Sequence, residues 1–365
     1  MLAWLALLAW IYLAGFHGRF WQSGPSLQPA APLVHPPVAI VVPARDEAEG
    51  IAESIASLLA QNYQGPFRVV LVDDNSTDDT ADIARALPGA QRLTVMDGAP
   101  RPRGWAGKLW AVSQGVEATD EELVLLTDAD IVHDPRHLST LVAELLATRV
   151  DMVSEMVALR CESFAEQALI PAFVYFFALL YPFAWVNDGQ RATAGAAGGT
   201  VLIRRSALAR IGGIASISGA LIDDCALAAK VKQGGRIWLG HSQLAKSVRP
   251  YPDFAAVWRM VARSAYVQLK LSPLLLVAST LGMALLFVVP VIAILSGSIA
   301  GLAAWLILSA TFWPSLQRFH LPWFWAPLLP AIAVFYIAAT LGSAWDHHRG
   351  RGVIWKQRSY TETES

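Results

Sequence analysis

Charge is almost absent from both ends of this chain, and that limits what it can fold into more than any motif does. Residues 1–18 carry no Asp, Glu, Lys or Arg, and residues 271–345 carry one, Arg318. Of the 28 basic and 29 acidic residues among 365, all but Arg19, Arg318 and seven beyond Trp345 fall within residues 38–270. Such a chain joins an ordinary globular segment to apolar ends that water does not tolerate. Disorder, collagen-like sequence and a wholly soluble protein are excluded. The net charge of -1 also excludes a nucleic-acid partner held by bulk charge. Cys161 and Cys225 stand far apart with no Cys/His ligand spacing, so neither a zinc site nor a disulfide framework is indicated.

The run MLAWLALLAWIYLAGF, residues 1–16, is slightly short of the ~20 apolar residues that span a bilayer. It has no basic leader and no small-residue cleavage site, and His17 and Arg19 follow it. Residues 1–18 are therefore expected to be an N-terminal membrane anchor, with the main domain cytoplasmic. Residues 19–37 form a Pro-rich linker, with prolines at 25, 29, 32, 36 and 37. Three apolar stretches, 273–295, 298–316 and 323–345, are expected to make residues 271–345 a set of C-terminal membrane helices. Residues 346–365 form a basic tail that the same charge rule places in the cytoplasm. Three full crossings would put that tail on the other side, so 298–316 is expected to be re-entrant or interfacial. A further apolar run, Gln167–Asn187, lies inside the globular segment. Residues 162–187 read either as a buried core helix or as an interfacial helix on the membrane surface.

Within residues 38–270 the runs VAIVVPA (38–44), FRVVLV (67–72) and ELVLLT (122–127) suit parallel strands buried on both faces. Helical patterns over 48–61, 77–87 and 108–117 alternate with them, which predicts an α/β fold built of βαβ units. Ligands of such sheets bind at the carboxyl ends of the strands. Here those ends carry Pro43-Ala44-Arg45-Asp46-Glu47, then Asp73-Asp74-Asn75-Ser76-Thr77-Asp78, then Asp128-Ala129-Asp130. Carboxylates gathered on one rim repel one another unless cations offset them. Hard oxygens such as those of Asp128 and Asp130 suit Mg2+ or Mn2+. A plainer role also exists for part of the second loop, in which Ser76 or Asp78 caps the following helix.

VVPARDE, LVDDNSTDDT, Gly107-Lys108 and TDAD, in that order, resemble the inverting family 2 glycosyltransferases of GT-A fold, over residues 38–240. The whole chain is similar to the membrane-bound glycosyltransferases associated with hopanoid synthesis, including the tail Gly350-Arg351-Gly352-Val353-Ile354-Trp355-Lys356, and more distantly to ceramide glucosyltransferases. The resemblance implies a UDP-sugar donor, a membrane lipid acceptor and a multi-pass protein of the bacterial inner membrane. It implies that Asp73 or Asp74 accepts from the uracil N3–H, and that Pro43, Ala44, Arg45 and Glu47 frame the same nucleotide. Arg45 reads equally as a structural ion-pair residue. Asp128 and Asp130 would hold the cation that bridges the two phosphates, with Asp130 binding it directly. Lys108, opening a helix, faces the diphosphate or plain solvent. Gly195-Ala196-Ala197-Gly198-Gly199-Thr200 would line the sugar and acceptor pocket. Asp224 would be the general base and Asp223 its support; the plainer role for both is helix capping. The family's Gln/Arg-x-x-Arg-Trp motif is incomplete here, because Ser264 stands where Trp is expected after Arg263. Arg263 reads as a phosphate ligand or, with Arg259 one turn away, as a lipid-headgroup contact.

Two other functions fit parts of the sequence. Asp128-Ala129-Asp130-Ile131-Val132 matches the nucleophile loop of haloacid-dehalogenase-type phosphohydrolases, although in that fold the nucleophile strand comes first. A non-catalytic membrane scaffold is the other, and the intact acidic set argues against it.

Overall fold

The computed structural model describes residues 1–22, 24–349, 354, 355, 358 and 359. Two compact units make up the chain: Pro25–Leu159 with Trp185–Arg249, and Met1–Gly24 with Arg160–Ala184 and Pro250–Ser365. The single domain expected over 38–270 thus gives up residues 160–184 and 250–270 to the apolar unit. Their apolar surfaces are buried by apolar helices rather than by the sheet.

The first unit is built on an eight-stranded sheet. Its strands are β1 (Val38–Ala44), β2 (Phe67–Asp73), β3 (Leu93–Asp97), β4 (Leu123–Thr127), β5 (Ile131–His133), β6 (Met152–Ala158), β7 (Thr200–Arg204) and β8 (Ile237–Ser247). Their order across the sheet is β3-β2-β1-β4-β7-β6-β8-β5. The half containing β1 to β4 is parallel, as the unbroken apolar runs predict. β7 runs antiparallel to both β4 and β6, and β5 antiparallel to β8, so the sheet is mixed. All seven residues of β1 are buried, because helices cover both faces. Ile40, Val42, Leu71 and Leu125 meet Ile51, Ile55 and Leu58 of the helix Ile51–Leu59, and Leu138 and Leu141 of the helix His137–Thr148. On the other face lies the helix Gly107–Glu117. It approaches so closely that a Cβ at Gly115 would stand 2.5 Å from Val41 Cγ1.

The two helices after β1 and β2 start later than their periodicity suggests, at Ile51 and Thr80. The intervening backbone N–H groups are taken by the neighbouring loop instead. Glu47 N donates to Thr80 Oγ1 (2.8 Å), Ala48 N to Asp78 Oδ2 (3.1 Å) and Thr77 N to Asp46 Oδ1 (2.7 Å). Neither Ser76 nor Asp78 is the helix cap; that position falls to Asp79, whose side chain makes no capping bond. The Pro-rich segment is no free spacer from Pro25 onward. Leu27 N donates to His241 O and His241 N to Pro25 O, Leu27 is buried, and Tyr63 Oη donates to Pro36 O.

In the second unit the helix Leu2–Phe16 has 15 residues, about 22 Å at 1.5 Å per residue. That is shorter than a hydrocarbon core of about 30 Å, so the expected N-terminal anchor does not reach the length of a span. Among the described residues three helices do, by length and composition: Pro273–Leu295, Ile299–Arg318 and Trp323–His348. Ile299–Arg318 is one continuous helix of 20 residues, with no re-entrant break. Pro290 has no N–H to give the Leu286 carbonyl one turn earlier. The Trp10 indole Nε1 donates to that carbonyl instead (2.7 Å), and the helix widens to a π-turn over Ala284–Val288. A backbone group left open in an apolar helix is thereby satisfied. The tail expected over residues 346–365 lies mostly outside the described residues.

The apolar run expected over 162–187 forms the helix Phe164–Leu180, packed among the same helices through Tyr175 Oη to Thr311 Oγ1 (2.9 Å) and Tyr336 Oη to Leu169 O (2.8 Å). Ser163 and Glu166 close its N-terminus as a capping box. The Glu166 carboxylate also accepts from Tyr251 N (2.7 Å) and Glu162 N (2.8 Å). It is almost wholly buried, and those bonds outweigh burial and hold its carboxyl below the usual range. Glu166→Ala is expected to destabilise this unit by about 2–3 kcal/mol, read as a fall in the melting temperature of detergent-solubilised protein. An unchanged melting temperature would mean that the carboxylate is not a structural tie.

Candidate active site

The carboxyl ends of β1, β2 and β4 lie side by side, since β1 pairs in parallel with both neighbours. Two left-handed residues, Asp46 (φ 49) and Asn75 (φ 55), turn the chain sharply at the ends of β1 and β2. The turns bring the two loops together. Asp46 N donates to Ser76 Oγ (3.0 Å), and Asp74 N to Ala44 O (2.8 Å).

Asp73 is tied within the second loop, and Asp74 is tied to the first. The Asp73 carboxylate accepts from Ser76 N (3.2 Å) and Ser76 Oγ. Asp74 is wholly buried, 3.7 Å from the Arg45 guanidinium, which also donates to the Asp74 carbonyl. Arg45 thereby links the two loops. These contacts fix the conformation of the loop and leave acceptor positions on both carboxylates.

Further along the sheet edge the acidic groups do converge. Lys108, in the first turn of Gly107–Glu117, reaches Asp128 Oδ1 (2.8 Å) and Asp223 Oδ2 (3.1 Å). Asp223 and Asp224 open the helix Asp223–Lys232, whose N-cap is Ile222, so neither caps it. Asp224 Oδ1 accepts from Cys225 N (2.7 Å). Its other oxygen faces Gly198, where a Cβ would stand 3.1 Å from Asp224 Oδ2. Pro43, Lys108, Asp128, Gly198, Asp223 and Asp224 line one cavity. Loss of water around Asp224 lifts its carboxyl to about 7, with Asp223 adding to the rise and Cys225 N–H and Lys108 opposing it. Asp128 is also raised, first by desolvation, with Lys108 working against the shift. Desolvation disfavours the Lys108 ammonium, yet Asp128 and Asp223 outweigh it and hold it firmly charged.

Asp130 faces a different cation. Arg249 Nε donates to Asp130 Oδ2 (2.6 Å) and Arg249 Nη2 to Glu47 Oε1 (2.9 Å). Sequence reasoning missed Arg249. It sits two residues beyond β8 with no motif around it, and only the pairing of β8 with β5 returns the chain to the Asp-x-Asp loop. Val248 N, next to it, donates to Asp130 O (2.9 Å). Arg263 follows the helix Phe254–Ala262 in the other unit.

Among the described residues no group of three or more His, Cys, Asp or Glu is arranged to hold a metal ion. Asp128 and Asp130 nevertheless offer two hard carboxylates from one short loop, both oriented toward cationic groups. Mg2+ and similar ions use one or two such ligands and complete their shells with phosphate oxygens and water. The donor set fits a cation shared with a bound phosphate.

Residues 39–212 match the model of glycosyl transferase family 2. This segment is a family 2 domain. The match runs through Asp128-Ala129-Asp130, which sets aside the phosphohydrolase reading of those aspartates. A curated relative, the 4,4'-diaponeurosporenoate glycosyltransferase of Staphylococcus aureus (strain bovine RF122 / ET3-1), is 36% identical over 97 residues. That alignment covers 27% of this chain and about a quarter (24%) of the relative's length. Among solved structures, the mannosyltransferase PcManGT from Pyrobaculum calidifontis, in complex with GDP-Man and Mn2+, aligns with a TM-score of 0.59 at 21% identity. It covers 95% of this chain and 99% of that one, so the likeness is one of fold along nearly the whole length. The family 2 domain accounts for the GT-A expectation, and neither of these two relatives bears on hopanoids.

Proposed function

We propose that this protein transfers a sugar from a nucleoside-diphosphate donor, of the UDP class, to an apolar membrane lipid, with inversion at the anomeric carbon. The observation that carries this is the meeting of Asp128 and Lys108, inside the segment that matches family 2, with Asp223 and Asp224, just beyond it, in one cavity. Asp128 and Asp130 would hold Mg2+ or Mn2+ against the diphosphate, and the cation would supply charge neutralisation to the departing nucleotide. Lys108 holds Asp128 and Asp223 in place and presents its charge at a helix N-terminus, where phosphate oxygens are favoured. Asp224 takes the proton of the acceptor hydroxyl as that oxygen bonds to the anomeric carbon and the nucleotide leaves; one displacement inverts the configuration. With its carboxyl near 7, Asp224 is about half ionised at neutral pH, placed both to take a proton and to hold it. Gly198 leaves room beside Asp224 Oδ2 for the incoming oxygen.

A lipid acceptor agrees with the three helices long enough to cross a membrane, which keep the protein in the phase where such an acceptor dissolves. A bacterial inner-membrane location with a cytoplasmic catalytic unit follows from the same reading. Two acceptor chemistries are in view: a hydroxyl on a polycyclic lipid such as a hopanoid, and a carboxylate like that named for the Staphylococcus relative. The test is purified full-length protein with labelled UDP- and GDP-sugars, Mn2+ and membrane lipid extract. Label is expected in the organic phase, lost with chelator and restored by added Mn2+ or Mg2+. No transfer together with no metal-dependent nucleotide binding would leave the scaffold reading in its place.

A further inference from the structure

Behind the Asp-x-Asp loop lies a line of buried polar side chains that the chemistry above does not use. Thr127, His133, His137 and Glu155 are 2%, 3%, 1% and 0% exposed. His137 Nε2 meets Glu155 Oε1 at 2.5 Å, and His137 Nδ1 meets His133 Nδ1 at 2.9 Å. His133 Nε2 meets Thr127 Oγ1 at 3.3 Å, and Thr127 Oγ1 donates to Gly199 O at 3.0 Å. The same carbonyl accepts from Asp128 N at 3.2 Å.

The protons in this line run in one direction. Burial, and then His137, hold His133 well below the ordinary imidazole range, so it is neutral and has one N–H. The Thr127 hydroxyl has one hydrogen and gives it to Gly199 O, the shorter of its two contacts, so at His133 Nε2 it accepts. His133 therefore donates to Thr127 through Nε2, and His137 donates to His133 at Nδ1. The outlet of the line is therefore the Gly199 carbonyl, between Asp128 on one side and Gly198, against Asp224 Oδ2, on the other.

We propose that Thr127, His133, His137 and Glu155 are positioning residues that fix the Gly199 carbonyl, and through it the spacing between the Asp128 loop and the Gly198 wall against Asp224. This rests on the transferase reading above. Thr127→Val keeps the shape and removes the hydroxyl; Thr127→Ser restores it. In the label-transfer assay Thr127→Val is expected to lower kcat by about 10- to 100-fold, as small misplacements of reacting groups do. The donor KM should change less than about threefold, and Thr127→Ser should recover to within about threefold of wild type. Should Thr127→Val fail to fold, His133→Leu and His133→Gln, which remove and keep the donor to Thr127, give the same comparison. A folded Thr127→Val with wild-type kcat, or a Thr127→Ser as impaired as Thr127→Val, would overturn the proposal. Wild-type protein that transfers no label would instead sink the transferase reading, so the two failures are distinct.

Discussion

Asp224→Asn is expected to lower transfer to a hydroxyl acceptor by about 100- to 10,000-fold, with nucleotide affinity changed by no more than about threefold. Asparagine keeps the shape and the bond from Cys225 N but cannot take a proton. The wild-type pH profile carries the same information. The base works only when ionised, so kcat/KM should rise about tenfold per pH unit below pH 7 and level off above it. Asp224→Asn should abolish that limb. A carboxylate acceptor, as in a carotenoid acid, arrives already ionised and needs no base. For such an acceptor Asp224→Asn should stay within about tenfold of wild type, and the wild-type limb near 7 should be missing. A large loss with one lipid and a small loss with another would identify the acceptor chemistry. Wild-type rates from Asp224→Asn with every hydroxyl acceptor would remove Asp224 from the mechanism.

Lys108→Met should be nearly as damaging, with kcat/KM down by about 100-fold or more. Its ammonium lies between Asp128 and Asp223, and without it three carboxylates face one another. The sign of the pH effect is set by the charge removed. Lys108 holds the Asp224 carboxyl down, so its loss moves that carboxyl, and the acid limb of the profile, above 7. A substitution that merely loosened the fold would lower activity without moving the limb. Lys108→Arg keeps the charge and should leave the limb near its wild-type position. An unmoved limb in Lys108→Met would show that the ammonium does not act on Asp224.

The parallel half of the sheet was legible in β1, β2 and β4 because strands buried on both faces must be apolar throughout. Asp128 and Asp130 stood out by residue type and position, since polar groups at strand ends are where such folds bind ligands, whereas Lys108, Asp223 and Asp224 stood out through their resemblance to family 2 motifs. β6 and β8 were less so, being interrupted by Glu155 and His241, polar residues that are buried all the same. The helix starts after β1 and β2 were misplaced because local pattern carries no knowledge of a neighbouring loop that competes for the same N–H groups.

The residues alone determined that an acidic α/β segment is joined to apolar helices, because burial and charge are properties of composition and order. Only the tertiary structure decided which cation meets which carboxylate. Lys108 serves Asp128 and Asp223, Arg45 serves Asp74, and Arg249 serves Asp130 and Glu47. An ion pair forms wherever two charges come within a few ångströms, and that separation is set by sheet order and by the pairing of distant strands. Arg249 and Glu47 lie 202 residues apart in the chain, and no spacing rule could have joined them.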